Sequence, residues 1–146
     1  HVNMSVKQIS VFLENKAGRL ADVTKVLGEN HIDISALSIA DTTHFGILRL
    51  IVNDPDRAEH VLRENGFTVS SSPVLAIAVD DVPGALSEAL SALTENGIGV
   101  DYIYAFVGKT QNRALVIFRG ENTETAAEVL KRAGVMVLED EEVYSL

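Results

Sequence analysis

Apolar residues recur along the chain with two different periods, and the changes of period mark its elements. In "VKQISVFLE" (Val6 to Glu14), Ile9, Val11 and Leu13 stand at every second position, which predicts a strand. Leu20, Val23 and Leu27 then fall on one helical face, so a helix is expected from about Gly18 to Asn30. Two further strands follow, "DISALSIAD" (Asp33 to Asp41) and "FGILRLIVN" (Phe45 to Asn53), around a turn at Thr42 to His44. Asp54 caps a second helix, and Pro55 suits its first turn because proline lacks the N–H that would go unpaired there. Gly66 stops that helix, since glycine accepts the left-handed conformation after a last turn. "FTVSS" (Phe67 to Ser71) closes the unit as a strand.

The same order returns. At an offset of 66, Gly18 falls on Gly84, Leu20 on Leu86, Leu27 on Leu93 and Ile32 on Ile98. Further on the offset is 68: Ala58 meets Ala126, Leu62 meets Leu130 and Gly66 meets Gly134. The two extra residues belong near "VGKTQN" (Val107 to Asn112), because an insertion inside a strand would break the register. Asn122 takes the cap position of Asp54, and "VMVLE" closes the second copy. Strand, helix, strand, strand, helix, strand, read twice, predicts an α+β chain. It would hold two ferredoxin-like units, each an antiparallel sheet with two helices on one face. The expected boundaries are 4–72 and 73–146. His1, Val2 and Asn3 precede a Met and are left out of the functional reading.

Composition narrows the partners. Apolar residues make up 47% of the chain, enough to pack a core in each unit. A formal net charge of −9 argues against nucleic acid, whose phosphates need a basic surface. There is no Cys, hence no disulfide framework, thiolate metal site or thiol nucleophile. The apolar runs are strand-length, so no membrane span is expected, and the chain reads as cytoplasmic.

Both handovers from strand to helix pass through a glycine, in "ENKAGRL" and in "DDVPGAL". A helix start leaves N–H groups unpaired and carries partial positive charge, and glycine lets a small anion come close. Asn15 precedes the first glycine, and Asp33 opens the next strand, expected at the same end of the sheet. A carboxylate at the helix start and an ammonium near Asp33 or the Asn15 carbonyl would together hold an α-amino acid. The same residues also suit a tight connection with no ligand. In the second copy Tyr102 and Tyr104 share one face of a strand, with Phe106 beyond. They would either wall a pocket or pack under the helices.

"ISVFLENKAGRLADVTKVLGENHIDISALSIA" (Ile9 to Ala40) resembles the start of an ACT domain, the small regulatory amino-acid-binding module. "AVDDVPGALSEALSALTENGIGVDYIYAF" (Ala78 to Phe106) resembles it again, with the common Pro-Gly turn at Pro83 and Gly84. The likeness is greatest to the modules of the acetohydroxyacid synthase regulatory subunit and of phosphoglycerate dehydrogenase. It implies a tandem pair without an attached catalytic domain. On that resemblance the ligand contacts in the first copy are Asn15, Lys16, Ala17, Gly18, Arg19 and Leu20, with Asp33, Ile34 and Ser35 from the next strand. In the second copy they are Asp81, Val82, Pro83 and Gly84, with Tyr102 and Tyr104. Asp33 departs from the family's Asn, and Gly99 offers no side chain at the matching place, so the first copy is expected to hold the stronger site.

The function so implied is a non-catalytic sensor of a free L-amino acid, branched-chain favoured, acting at the turn and a domain interface. It would need no cofactor and no metal, form a homodimer and bear on a regulated enzyme. Two rivals are a small ferredoxin-like enzyme and a protein–protein interaction module with degenerate sites. No Ser-His pair or phosphate loop speaks for the enzyme. His31, His44 and His60 lack the paired spacing of a metal site. "EDEE" (Glu139 to Glu142) reads as a solvated acidic turn. The strands after the first helix of each copy should be edge strands that pair with one another, within a chain or between chains. "VYSL" (Val143 to Leu146) is expected to add a further edge strand.

Overall fold

The computed structural model describes residues 4–14, 17–41, 44–107 and 113–146. The chain divides between Ser72 and Pro73 into two compact units, and the residues up to Val6 group with the second.

The first unit holds β1 (Val6–Glu14), α1 (Arg19–Glu29), β2 (Ile34–Asp41), β3 (Phe45–Val52) and α2 (Pro55–Glu64). β4 (Thr68–Asp80) closes it and runs on as one 13-residue strand into the second unit. The sheet order is β2-β3-β1-β4, with antiparallel ladders on both sides of β3. The every-second-residue pattern decides the faces. Ile9, Val11 and Leu13 of β1 join Leu48, Leu50 and Val52 of β3 under Val23, Leu27, Val61 and Leu62 of the helices. Both helices therefore cover one face of the sheet, as the pattern predicts. Leu20 is the exception: it stays 39% exposed. It sits in the first turn of α1, beyond the last buried position of β1.

The second unit continues with α3 (Ala85–Glu95), β5 (Val100–Ala105), β6 (Arg113–Gly120) and α4 (Thr123–Arg132). β7 (Met136–Val137) and α5 (Asp140–Tyr144) complete it. Its order is β5-β6-β4-β7, the same topology as the first. Leu75, Ile77, Val79, Val116 and Phe118 pack under Ala89, Leu93, Ala126 and Leu130. The caps read from sequence are present: Asp54 accepts from the Arg57 N–H at 3.3 Å and Asn122 from the Thr125 N–H at 3.0 Å.

The tail departs from expectation. "VMVLE" forms a strand of only two residues, and "VYSL" adds no strand. Glu139 and Glu142 instead make a reciprocal capping box, and Val143 is buried. Acids at a helix start satisfy its free N–H groups and its partial charge, so "EDEE" is the opening of a helix instead of a free turn.

Candidate functional site

Two equivalent turns deliver the chain from strand to helix. Gly18 caps α1 at φ 86° and ψ −9°, and Gly84 caps α3 at φ 89° and ψ −15°. A side chain there would be strained whatever the space, although an added Cβ would touch nothing. Neither glycine offers a side chain to the helix N–H groups; in the second turn the Ala85 N–H donates to the Val82 carbonyl at 3.3 Å, and both helix starts carry partial positive charge. Asn15 and Lys16 lie outside the described residues. Ala17, Asp81, Val82 and Pro83 are exposed around the two turns. Arg19 turns away from the turn: its guanidinium lies 4.5 Å from the centre of the Phe67 ring and 3.6 Å from Asp22. Its backbone N–H stays at the helix start.

Asp33 is exposed and its main chain is pinned from both sides by Asn53. The Asp33 N–H donates to Asn53 Oδ1 at 3.0 Å, and the Asn53 N–H donates to the Asp33 carbonyl at 3.2 Å. Its carboxylate has no hydrogen-bond or ion-pair partner among the described residues. Ile34 and Ser35 follow, half-buried, at a break in register between Ile34 and Ala36. The second copy repeats this break between Val100 and Tyr102. Such bulges re-aim side chains at a strand end. Asn53 is a positioning residue that sequence reading missed; its only signal is its place before the Asp54 cap. In the second copy Glu121 stands at that place, and a Cβ added to Gly99 would lie 3.8 Å from Glu121 Oε1. The carboxylate missing from Gly99 thus returns from the residue that follows β6.

The ladders separate Gly18 from Asp33 within one unit. Glu14 pairs with Phe45 and Leu13 with Gly46, so the turn lies where β3 begins. Ile34 pairs with Val52, at the other end of β3, opposite the start of β1. Seven strand steps of about 3.4 Å put roughly 24 Å between the two ends. The expectation that Asp33 shares an end with the turn is therefore corrected. A strand and a returning helix bring the chain back to the end where β1 began, and β2 starts there. The second copy obeys the same rule: Asp80 pairs with Arg113, whereas Val100 pairs with Gly120.

Tyr102 and Tyr104 are half-buried, with ring centroids 6.4 Å apart and planes 22° from parallel. After the bulge, Ile103 opposes Phe118 of the core, so the tyrosines share the face of Arg119 and Ile117, away from the helices. They do not pack under the helices. Among the described residues, no group of His, Asp or Glu has a metal-binding arrangement, and no helix is long and apolar enough to cross a membrane.

The chain matches the family model described as an ACT domain pair over residues 4–146. A search of curated proteins finds no match. Among solved structures, a protein from Bacteroides thetaiotaomicron is 43% identical, with 98% of each chain covered and a TM-score of 0.92. The ligand-free regulatory subunit of aspartate kinase from Thermus thermophilus is 18% identical over 91% of this chain and 97% of its own, with a TM-score of 0.65. That from Thermus flavus is 17% identical over 92% and 95%, with a TM-score of 0.62. At such identities the two kinase subunits show a shared fold.

Proposed function

Because the chain belongs to the ACT domain pair family, we propose that it is a non-catalytic regulatory protein of the cytoplasm that binds a free L-amino acid and signals its level to an enzyme. The observation that carries this reading is the pair of exposed, glycine-opened helix starts together with the unpartnered Asp33 carboxylate. One end suits a ligand carboxylate and the other suits its ammonium. Leu20 beside the turn and Ile34 beside Asp33 give the surroundings an apolar side, which favours a branched aliphatic ligand.

Gly18 and Asp33 of one unit stand at opposite ends of its sheet, so a complete site needs two units. Among the described residues β2 has one sheet neighbour, β3, and it carries Leu37 and Ile39 at 37% and 48% exposure. An apolar edge strand invites pairing. Antiparallel pairing of β2 with β2 of a second copy would set the start of each strand against the end of the other. Asp33 would then reach the glycine turn of the partner chain. The ligand site is thus proposed to lie at the seam of a homodimer.

Thermal unfolding with each of the twenty amino acids at millimolar concentration tests the reading. Ligand at one hundred times its dissociation constant should add about 2.7 kcal/mol. A melting temperature that no amino acid moves would overturn it. Light scattering should return the mass of two chains, and a single-chain mass at high concentration would reject the seam.

A further inference from the structure

The chain has no Cys and two Met, so its sulfur chemistry rests on Met4 and Met136. Met4 is half-buried and packs against the core of the second unit. Met136 stays 46% exposed in the two-residue strand β7. Its neighbour Val137 pairs with Ile77, and both belong to the core under α3 and α4. Met136 pairs with Ala78, one step along, so strand alternation turns its thioether to the face away from the helices. Arg113 shares that face, because its register partner Asp80 stands two residues from Ala78.

The guanidinium of Arg113 is spent on this sulfur: Nη1 donates to Met136 Sδ at 2.9 Å. A thioether accepts weakly, whereas a carboxylate is the ordinary partner of a guanidinium. Yet no ion pair joins Arg113 to Asp80 among the described residues. The first copy has nothing comparable. The positions matching Ala78, Arg113 and Met136 are Phe12, Phe45 and Thr68, and the two Phe rings stack at 4.7 Å. One added oxygen would turn the weak contact of the second copy into a strong one, because a sulfoxide oxygen is a good acceptor and the charged donor already stands beside it. Sulfoxidation disrupts a core by making an apolar side chain polar, but here the oxygen is added on an exposed face. We infer that Met136 is a sulfoxidation site and that Arg113 holds its oxidised form. The co-substrate is a hydroperoxide. The sulfur lone pair attacks the terminal peroxide oxygen, so an S–O bond forms as the O–O bond breaks. The proton of that oxygen passes to the departing oxygen, which leaves as water or an alcohol. Sulfur gives up two electrons and the peroxide takes them. The inference does not depend on the turn-and-edge site, since it concerns β4, β6 and β7 of the second unit alone.

The test titrates hydrogen peroxide onto the full chain and follows each methionine by peptide mass spectrometry. Met136 should gain one oxygen several-fold faster than Met4, in line with its exposure. At a dose that modifies Met136 alone, urea unfolding compares the parent, Arg113→Ala and Met136→Leu before and after treatment. Oxidation should raise the folding equilibrium constant of the parent about threefold, the part of a charge-assisted hydrogen bond that survives at an exposed site. It should give no such rise in Arg113→Ala, where the sulfoxide has lost its donor, and peroxide should leave Met136→Leu unchanged. Both substitutions are at exposed side chains, so both variants should fold. Met4 oxidising as fast as Met136 would overturn the inference. So would a parent destabilised by oxidation, a rise of equal size without Arg113, or the same rise in Met136→Leu.

Discussion

Replacing His31 by glycine should stabilise the protein, and the internal repeat supplies the control. His31 follows α1 with φ 56°, the one positive φ at a non-glycine residue among those described. At the matching place after α3 stands Gly97, with φ 71°. Both make the same bond: the His31 N–H donates to the Gly28 carbonyl at 3.1 Å, and the Gly97 N–H to the Thr94 carbonyl at 3.0 Å. The His31 side chain is exposed, so its removal forfeits no core contact. The left-handed conformation costs an ordinary residue about 1–2 kcal/mol, and the extra freedom of an unfolded glycine returns about 0.5–1 kcal/mol of that. His31→Gly should therefore gain about 1 kcal/mol, or about 2–4 °C in melting temperature for a chain of this size. The reverse change, Gly97→His, should lose a similar amount, since an added Cβ there meets nothing and only backbone strain is introduced. Urea unfolding gives the size of each effect. Amide exchange at Leu27 and Leu93 reports which unit has changed. A destabilised His31→Gly, or a Gly97→His variant of unaltered stability, would refute the reasoning.

The ion network of the first unit predicts a pH dependence. Glu59 accepts from Lys7 and Arg63, each at 2.8 Å, and its hydrogen bond from Lys7 holds its carboxyl below the usual carboxylate range. Its contribution is present above the unfolded value of about 4.5 and is lost as pH falls through the lower folded one. Glu59→Gln should cost about 1–2 kcal/mol near neutral pH, because Lys7 keeps its 2.6 Å contact with Asp56, and unfolding curves of variant and parent should converge in strong acid. Lys7 is raised by its hydrogen bonds to Asp56 and then Glu59, so its own contribution fades as pH climbs past 10.5 through the folded value. A further prediction concerns the close approach of Gly120 to Gly99, just before the bulge: Gly120→Ala would put a Cβ 2.8 Å from the Gly99 carbonyl oxygen and should cost about 1–3 kcal/mol, read by the same urea assay.

Elements set by local chemistry were legible in the sequence. The caps at Asp54 and Asn122 and the glycine stops at Gly66 and Gly134, with φ 85° and 81°, depend on neighbours a few positions away. The repeat made each of these visible twice. The tail was misread because a valine and a tyrosine suit either period, and the capping box of Glu139 and Glu142 decided for helix. The site was half legible. Gly18, Gly84 and Asp33 stood out by residue type, but their distance depends on which end of β3 each one meets. Asn53 and Glu121 carried no pattern of their own and emerge only from the ladder that sets them beside Asp33 and Gly99. Arg19 looked like a ligand contact beside the turn, yet the Phe67 ring offers it a cation–π partner from the strand side.

The central claim is that two chains complete each turn-and-edge site, and subunit mixing tests it most directly. Gly18→Val should strain the turn and obstruct the helix N–H groups, and Asp33→Ala should remove the carboxylate while leaving its main-chain bonds to Asn53. Each variant alone should lose calorimetric binding at this site of the amino acid that stabilises the parent. Mixed and allowed to exchange subunits, a heterodimer pairs the intact turn of one chain with the intact Asp33 of the other. The account predicts that binding returns on mixing, with one working site per heterodimer. Binding that stays absent in a mixture shown to contain heterodimers would contradict it.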